Sequence, residues 1–409
     1  MSRRDVTTRG AGLALVLALL LGLLTTFAPH ATAAPNAPQP RPYKSCAAVL
    51  EGRFHCMSVW HPTSARSSST STDGRSSTTK APKPPSGLHP SDIRKAYDLP
   101  KKGAKDQTVA IVDAYDNPNV EQDLAVYRAA FGLPACTTAN GCFRKVDQRG
   151  GTRYPEGDPG WGVEIALDVQ AVSASCRTCK ILLVEADDSE FESIGAAENT
   201  AVRLGAAVVS NSYGGAEFGG MWDYARRFYT HPDVAIVASS GDDGFTTASF
   251  PAVLRSTWAV GGTRLKKTKG GGWTEDAWDG AGSGCSAYVG KPSVQKDANC
   301  SMRTVSDLSA VADPESEFVV YDTFGLDGDG PWLAVGGTSL SSPLIAGMIG
   351  LAGNAKTVAS PTYLYEHPKG LHDVRGGRNG SCGRDYLCTG VKGYDAPTGL
   401  GSPRGLSSL

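Results

Sequence analysis

The sequence has almost no net charge and, after its first 34 residues, no long apolar run. Its 40 Lys and Arg residues nearly balance 41 Asp and Glu residues, which leaves a formal charge of −1. Without a basic excess the chain is unsuited to polyanions, so we expect no nucleic-acid partner. No later stretch reaches the roughly 18 consecutive apolar residues of a membrane helix, so we also expect no membrane partner. Because 40% of its 409 residues are hydrophobic, the chain is able to form a large core. We expect the protein to be a monomer.

The first 34 residues have the composition of a secretion signal. Arg3, Arg4 and Arg9 precede an apolar stretch at 11–24, and small residues at 31–33 offer a cleavage site. We therefore expect a secreted, extracellular protein. The Arg3-Arg4 pair leaves open whether export uses the general or the twin-arginine route.

Ten cysteines follow the signal, and they fall into five pairs of neighbours along the chain. An even number of cysteines in an exported protein indicates disulfide bonds, although sequence does not fix the pairing. Cys176-x-x-Cys179 is alternatively a redox or zinc pair, but no second close Cys or His pair stands near it to complete four ligands. The five pairs are Cys46/Cys56, Cys136/Cys142, Cys176/Cys179, Cys285/Cys300 and Cys382/Cys388.

The chain divides into three parts by composition. After the signal, residues 35–86 form a short Cys-containing leader followed by a linker rich in Ser, Thr and Pro. The linker has almost no large apolar residues, so it cannot bury enough surface to fold. We expect one large domain at 87–409.

The large domain alternates between predicted strands and predicted helices. Apolar, β-branched runs typical of strands buried on both faces lie at 108–114, 180–186, 206–212 and 234–240. Stretches with helical spacing lie at 119–131, 163–173 and 190–204. This alternation predicts an α/β fold with a parallel sheet covered by helices. In such folds ligands bind at the carboxyl ends of the strands.

Glu164 and Asp168 are four residues apart and therefore project from one face of a predicted helix. An isolated pair with this spacing is usually part of a solvated acidic surface. Here almost every neighbour between residues 162 and 172 is apolar, which leaves little polar surface for such a pair. The context favours a functional pair of carboxyl groups.

Two further motifs carry a carboxyl or hydroxyl group to an element end. Asp242 and Asp243 lie in a Gly-flanked turn after the last predicted strand. Asp and Gly are common in turns because they suit the backbone conformation, whether or not they have a function. Adjacent side chains point apart, so at most one of them acts chemically. Ser339 precedes an apolar helix, with Thr338 or Ser339 as the cap and Pro343 in the first turn. Helix N–H groups also stabilise negative charge there, which suits a nucleophile.

Together these motifs resemble the sedolisins, or serine-carboxyl peptidases, a family of secreted acid endopeptidases. The likeness covers about residues 87 to 403 in order and includes "VAIVDAYDNPN", "EIALDVQ", "VVSNSYGG", "SSGDDG" and "GGTSLSSP". It implies a subtilisin-like three-layer α/β fold, with a central mostly parallel sheet flanked by helices. It also implies a serine-type endopeptidase that hydrolyses the peptide bonds of protein or peptide substrates.

The resemblance assigns a role to four residues. Ser339 is the expected nucleophile, and Glu164 is expected to accept its proton and return it to the leaving amine. Asp168 is expected to hydrogen-bond to Glu164 and share its proton. Asp242, rather than Asp243, is expected to occupy the oxyanion hole.

Such a set of residues requires acid. Two carboxyl groups within hydrogen-bonding reach cannot both ionise cheaply, so one pKa rises and the pair holds one proton. A histidine would be protonated in acid and useless as a base, whereas a glutamate suits that pH. Asp242 must itself be protonated to donate a hydrogen bond to an oxyanion. We therefore expect activity to decline towards neutral pH.

The main alternative is a subtilisin-type Asp-His-Ser peptidase, because Asp113 lies where that class has its aspartate. None of the seven histidines stands in a His-Gly-Thr context between Asp113 and Ser339. That class would also have an Asn as oxyanion donor, where this chain has Asp242. A non-catalytic binding protein on the same scaffold is a second alternative. It would be expected to have lost a site residue, yet all four are present.

The resemblance also implies one structural Ca²⁺ ion, which hard oxygen ligands suit. Val391 stands where the family usually has Gly, and a Cys382 to Cys388 insertion separates the two halves of the site. The alternative is two ordinary Asp-containing turns. The expected ligands are the carboxylates of Asp373 and Asp395 and the backbone carbonyls of Val374, Val391 and Gly393.

The leader departs from the family pattern. Typical sedolisins carry a large folded prodomain that keeps the enzyme silent until acid releases it. Residues 35–86 are too few and too polar for such a domain. We expect the part around Cys46 and Cys56 to be a shortened leader that replaces this prodomain.

Overall fold

The computed structural model describes residues 42–46, 52–62, 83–325, 330–383 and 385–409. The predicted signal and most of the linker lie outside the described residues. The described strands are β1 (Tyr43–Lys44), β2 (His55–Cys56), β3 (Val59–Pro62), β4 (Thr108–Ala114), β5 (Phe143–Asp147), β6 (Lys180–Ala186), β7 (Val208–Asn211), β8 (Tyr213–Ala216), β9 (Ala235–Ser239), β10 (Ser249–Phe250), β11 (Trp258–Lys267), β12 (Trp273–Ala277), β13 (Gly284–Gly290), β14 (Met302–Val305), β15 (Leu308–Val311), β16 (Phe318–Tyr321), β17 (Trp332–Gly336), β18 (Leu371–His372) and β19 (Ser402–Pro403). The described α-helices are α1 (Pro90–Ala96), α2 (Val120–Ala130), α3 (Pro159–Ser175), α4 (Phe191–Arg203), α5 (Met221–Phe228), α6 (Thr338–Ala352) and α7 (Thr362–Glu366).

A mostly parallel sheet forms the centre of the described chain. Its strand order is β12-β11-β9-β7-β4-β6-β5, and β15 also pairs with β11. Every neighbouring pair is parallel except β11 with β12. Parallel strands need crossover connections, and α2, α3 and α4 lie between successive parallel strands along the chain.

The side chains of β4 show why the fold has three layers. Successive residues of a strand point to opposite faces, so one strand feeds two cores. Val109 and Ile111 pack into the core that contains α3 and α6. Ala110 and Val112 pack into the core that contains α4 and α5. The predicted three-layer α/β fold is confirmed.

The predicted elements agree closely with the observed ones. β4 and β6 have the predicted bounds, while β7 and β9 are slightly shorter than their apolar runs. α3 begins earlier than its apolar spacing indicates, at Pro159. Asp158 caps this helix by accepting a hydrogen bond from the Trp161 N–H at 2.9 Å, and proline fits the first helical position.

All ten cysteines are disulfide-bonded in the five neighbouring pairs. Cys176 and Cys179 are bonded to each other, so they are not a zinc pair. Among the described helices, none has both the length and the apolar character that a membrane crossing requires.

Part of the leader packs on the large domain. We call residues 52–62 the leader segment. β2 pairs antiparallel with β8, and β3 pairs antiparallel with β17, the strand that leads into α6. β1 adds to the outer edge of β3. The leader segment therefore crosses the region between β8 and the start of α6.

Candidate active site

Three elements bring the four predicted site residues together. Glu164 and Asp168 lie on α3, Asp242 lies in the loop after β9, and Ser339 is the second residue of α6. The side chains of Glu164, Asp168 and Ser339 are completely buried. Glu164 is close enough to Ser339, Asp168 and Asp242 for each pair to interact electrostatically or through a hydroxyl group.

The start of α6 differs from the predicted cap. Gly337 precedes the helix with a φ of 96°, and neither Thr338 nor Ser339 is the cap residue. A β-carbon at Gly337 would lie 2.5 Å from Asp242 Oδ2, so only glycine fits. Pro343 lies in the second turn rather than the first. Because proline has no N–H, the carbonyl of Ser339 lacks its usual helical partner, and the Ser212 hydroxyl lies 3.2 Å from it instead.

The Ser339 hydroxyl donates a hydrogen bond to the Ser212 carbonyl at 3.2 Å. It also lies close enough to Glu164 to lower the pKa of that carboxyl, as does the Ser58 hydroxyl. Neither Glu164 oxygen has a hydrogen-bond partner of standard geometry. A small rotation of the Ser339 side chain would exchange the Ser212 carbonyl for Glu164 as acceptor.

Burial dominates the electrostatics of Glu164. Loss of solvent raises its pKa to about 8, although the two nearby hydroxyl groups lower it and the charge of Asp242 raises it. A carboxyl with this pKa holds its proton in acid. Glu164 is therefore neutral in much of the acid range unless Asp168 supplies the shared proton instead.

Asp168 is held by Ser212, whose hydroxyl donates to Asp168 Oδ1 at 2.9 Å. Burial raises the pKa of Asp168 well above its usual value, and repulsion from Asp113 and Glu164 adds to the rise. Ser212 thus contacts both Asp168 and the backbone of Ser339, the expected nucleophile. Ser212 lies in the "VVSNSYGG" motif, but no feature of the sequence alone distinguishes it as a site residue.

Asp113 is a further buried carboxyl beside the site. It is fully buried on β4, and neither of its oxygens has a hydrogen-bond partner. Burial raises its pKa well above the usual value, with contributions from the charges of Glu164 and Glu185. In the sequence, Asp113 is notable only because it lies where a subtilisin-type peptidase has its catalytic aspartate. The structure places it against the carboxyl pair on α3.

Asp242 faces the start of α6. Its Oδ1 accepts hydrogen bonds from the Thr338 N–H at 2.7 Å and the Thr338 hydroxyl at 2.8 Å. Its Oδ2 is buried without a partner. Burial raises the pKa of Asp242 to about 7 in spite of the Thr338 hydrogen bonds. Asp243 is exposed and pairs with Lys44 at 2.7 Å, so the two adjacent aspartates point apart as predicted.

The subtilisin-type alternative needs a histidine between Asp113 and Ser339. Asp113 has no hydrogen-bond partner, so it orients no imidazole. Ring hydrogen bonds of four histidines instead reach backbone carbonyls outside the site, and these are His61, His89, His231 and His367. This geometry does not favour an Asp-His-Ser triad.

The predicted calcium ligands lie on two converging loops. Asp373 Oδ1 accepts from the Gly393 N–H at 2.9 Å, and Asp395 Oδ2 accepts from the Val391 N–H at 3.0 Å. Arg375 also pairs with Asp373. No cluster of three or more His, Cys, Asp or Glu side chains suited to a metal occurs in the described parts of the chain. A site with two carboxylates and backbone carbonyls does not require such a cluster.

Comparison with known proteins identifies relatives of the chain. Residues 165–365 match the family model described as the subtilase family. The chain is 30% identical over 368 residues to kumamolisin from Bacillus sp. (strain MN-32), covering 80% of this chain and 63% of that protein. It is 28% identical over 364 residues to sedolisin from Pseudomonas sp. (strain 101), covering 77% of this chain and 60% of that protein. The chain thus spans about three fifths of the length of these relatives.

A solved structure shows the same fold. Pseudomonas sedolisin, described as a serine-carboxyl proteinase complexed with two molecules of pseudo-iodotyrostatin, superposes with a TM-score of 0.67. The sequences are 27% identical, and the match covers 78% of this chain and 95% of that one. The predicted resemblance is therefore confirmed.

The buried carboxyl groups predict that the folded protein is most stable in acid. Glu164 and Asp242 titrate near pH 8 and 7 when folded but near pH 4 when unfolded, so the folded state binds more protons between these values. Its free energy of unfolding should therefore fall as pH rises from about 4.5 to about 8. Each such carboxyl contributes up to about 1.4 kcal/mol per pH unit. Urea unfolding of a Ser339→Ala variant across this range measures the slope.

Glu164→Gln in the same background should make this slope shallower, because one titrating group is removed. Glu366→Gln changes an exposed carboxylate and should leave the slope unchanged. A free energy of unfolding that stays constant or rises between pH 4.5 and 8 would contradict the assignment, on the linkage relation.

Proposed function

This chain belongs to the sedolisin family and has its subtilisin-like fold, and on that basis we propose that it is an acid-active serine-carboxyl endopeptidase. Its substrates are proteins or peptides. One observation carries the proposal: Glu164, Asp168 and Ser339 are buried together, and Asp242 accepts a hydrogen bond at the start of the helix that bears Ser339. A binding protein would not need a hydroxyl nucleophile, a carboxylate base and a protonated carboxyl group together in one buried cluster.

In the proposed reaction Ser339 Oγ attacks the carbonyl carbon of the substrate, and Glu164 takes the hydroxyl proton. Glu164 then gives this proton to the leaving amine, and water hydrolyses the resulting ester of Ser339. Asp168, held by Ser212, supports Glu164 through the shared proton of the pair. The mechanism resembles a serine triad in which a carboxyl pair replaces histidine and aspartate.

Two groups are placed to stabilise the oxyanion. The Ser339 N–H points towards the cleft at the helix start, where the helix dipole favours negative charge. Asp242 Oδ2 is buried, lacks a partner, and carries a proton below about pH 7. An ionised Asp242 would repel the oxyanion, so activity requires acid.

We also propose that the protein is exported. The five disulfides support this proposal, because disulfides persist in oxidising compartments. The composition of the first 34 residues gives independent support.

A structural Ca²⁺ is the proposed cofactor, held by Asp373 and Asp395 with the carbonyls of Val374, Val391 and Gly393. The two carboxylates lie close enough for their charges to interact, and Asp395 is fully buried with no ion pair to a described Lys, Arg or His residue. Oxygen donors of this kind suit calcium. Bound Ca²⁺ would offset the repulsion between the two carboxylates. It would also replace Arg375 as the cationic partner of Asp373.

Digestion of casein at about pH 4 tests the proposed activity. The purified protein should digest casein, and Ser339→Ala should reduce the rate by at least about 10³-fold because the nucleophile is lost. Ser341→Ala is the matched control on the same helix, since Ser341 bonds to the Ala310 and Val311 carbonyls. It should retain the activity. Equal digestion by the unmodified protein and Ser339→Ala, or none by either, would reject an active serine peptidase.

Asp242→Asn tests the protonated donor. An amide keeps the Thr338 hydrogen bonds and offers an N–H towards the oxyanion at every pH. The variant should therefore lose kcat/KM less steeply than the unmodified enzyme as pH rises through about 7. Asp243→Asn, the exposed neighbour, should leave the profile unchanged. A decline of Asp242→Asn that coincides with the unmodified profile would count against this role of Asp242.

Calcium binding should appear as a gain in thermal stability, which does not depend on activity. Calcium at about 100 times its Kd adds about 2.7 kcal/mol to the free energy of unfolding, and EGTA should remove this gain. The shift in Tm should disappear in Asp395→Asn and persist in Asp279→Asn, a change at an exposed carboxylate. A Tm that does not respond to calcium in the unmodified protein would rule the site out.

A further inference from the structure

The leader segment lies in the cleft of the candidate active site. The side chains of Phe54, Cys56, Met57 and Ser58 are almost fully buried against the large domain. A segment packed only as a surface strand would bury alternate side chains, because strand side chains alternate in direction. The burial of four residues within five positions shows that the segment is enclosed on more than one side.

Main-chain hydrogen bonds hold the segment between two parts of the domain. On one side Phe54 N–H donates to the Ser189 carbonyl at 2.8 Å. On the other side His55 and Cys56 pair antiparallel with β8, and Met57 N–H donates to the Ser212 carbonyl at 3.2 Å. This is how a cleft recognises an extended peptide, because main-chain pairing gives affinity without regard to sequence.

Two side chains of the segment contact separate parts of the cleft. Phe54 packs among aromatic rings, with centroids 4.4 Å from Phe191 and 4.8 Å from Tyr213. Met57 lines a cavity of about 270 Å³ together with Gly241. A β-carbon at Gly214 would be 2.2 Å from the terminal methyl of Met57, so this glycine provides room for the side chain.

The carbonyl of Met57 lies at the predicted oxyanion position. Ser339 N–H donates to the Met57 carbonyl oxygen at 3.1 Å. A β-carbon at Gly337 would contact both this oxygen, at 2.2 Å, and Asp242 Oδ2, at 2.5 Å, so the two oxygens border one small space. The next residue, Ser58, brings its hydroxyl to Glu164. The Met57–Ser58 peptide bond therefore lies between the nucleophile, the base and the oxyanion donors.

The chain continues past this bond along the other half of the cleft. β3 runs antiparallel to β17, with Val59 opposite Gly336 and Trp60 opposite Val335. β17 leads directly into the nucleophile. The leader segment is thus bound on both sides of the Met57–Ser58 bond, as a substrate of an endopeptidase is.

We propose that the leader segment occupies the cleft as a substrate and that Ser339 cuts the Met57–Ser58 bond of its own chain. This inference rests on the proposed peptidase activity. It assigns Phe54 and Met57 as the side chains that the cleft selects. It also explains how so short a leader restrains the enzyme, because the cleft is filled until the bond is cut.

The reaction is an ordinary hydrolysis. Ser339 Oγ bonds to the Met57 carbonyl carbon, the C–N bond to Ser58 breaks, and the Ser339 proton passes through Glu164 to the Ser58 nitrogen. Water then cleaves the ester, leaving a carboxyl group on Met57 and the free Ser339 hydroxyl. Both cysteines of the Cys46–Cys56 disulfide lie on the amino side of the cut. The amino-terminal fragment is then no longer covalently linked to the enzyme.

Acidification of the purified full chain from neutral pH to about pH 4 tests the proposal, in the range where the carboxyl pair works. Mass spectrometry should find a disulfide-containing fragment whose carboxyl terminus is Met57. The first-order rate of its formation should not depend on protein concentration, because the bond already lies in its own cleft. Ser341→Ala should release the same fragment, and Ser339→Ala should release none.

A second measurement uses peptides and does not depend on the folding of a variant. A peptide of residues 53–60 with Cys56→Ala should be cut between Met57 and Ser58 by the activated enzyme. Replacing Met57 by Asp or Phe54 by Ala in the peptide should lower kcat/KM by about tenfold or more, since each removes an apolar contact in a pocket.

The outcomes separate this inference from the proposed function. Digestion of casein while the Met57–Ser58 bond stays intact would overturn the inference and leave the peptidase activity standing. A fragment from Ser339→Ala, a fragment ending elsewhere, or equal kcat/KM for the three peptides would also overturn it. Absence of both casein digestion and the fragment would reject the inference together with the activity.

Discussion

The structure depends on carboxyl groups that are buried where ionisation is costly. Asp113, Glu164 and Asp168 are completely buried, and most of their oxygens have no hydrogen-bond partner. Burying an unpaired charge costs several kcal/mol, whereas a protonated carboxyl costs far less. The fold therefore disfavours full ionisation of this cluster. The proposed chemistry likewise needs protons held there, one shared by Glu164 and Asp168 and one on Asp242. The expected stability in acid and the proposed activity in acid thus have one physical cause, namely the exclusion of water from this cluster.

The start of α6 positions Asp242 and Ser339 relative to the buried carboxyl groups. Gly337 allows the chain to turn tightly beside Asp242, and the first helical N–H groups point at that carboxyl and at the cleft. Pro343 has no N–H to donate to the Ser339 carbonyl, so this carbonyl lies near the Ser212 hydroxyl instead. The same hydroxyl donates to Asp168. One serine therefore links the backbone of the nucleophile to the carboxyl pair, and neither helix positions the site alone.

Local patterns predicted the central fold because buried parallel strands are continuous apolar runs. β4 and β6 could be located to the residue, and the motifs around Glu164, Asp242 and Ser339 could be recognised as one site. The position of Pro343 in α6 could not, because the helix begins at Thr338, directly after Gly337, whose φ is positive. Contacts distant in sequence were also beyond prediction. No local signal shows that Asp113 faces Asp168 or that the leader segment reaches Ser339.

Most of the contacts that hold this leader segment are uncharged and do not depend on acid. His55 is the exception, because burial lowers its pKa and its protonation in acid would weaken the binding of the segment. Main-chain hydrogen bonds and the buried Phe54 and Met57 side chains do not titrate. The ion pairs between the described part of the leader and the domain are exposed and contribute little, and these are Lys44–Asp243 and Arg53–Glu190. Protonation of Asp242 even adds a donor near the Met57 carbonyl. A folded prodomain can be released by titration. For a substrate-like segment held mainly by uncharged contacts, the proposed cleavage of its own peptide bond is the larger change, because it divides the contacts on the two sides of the cut between two separate chains.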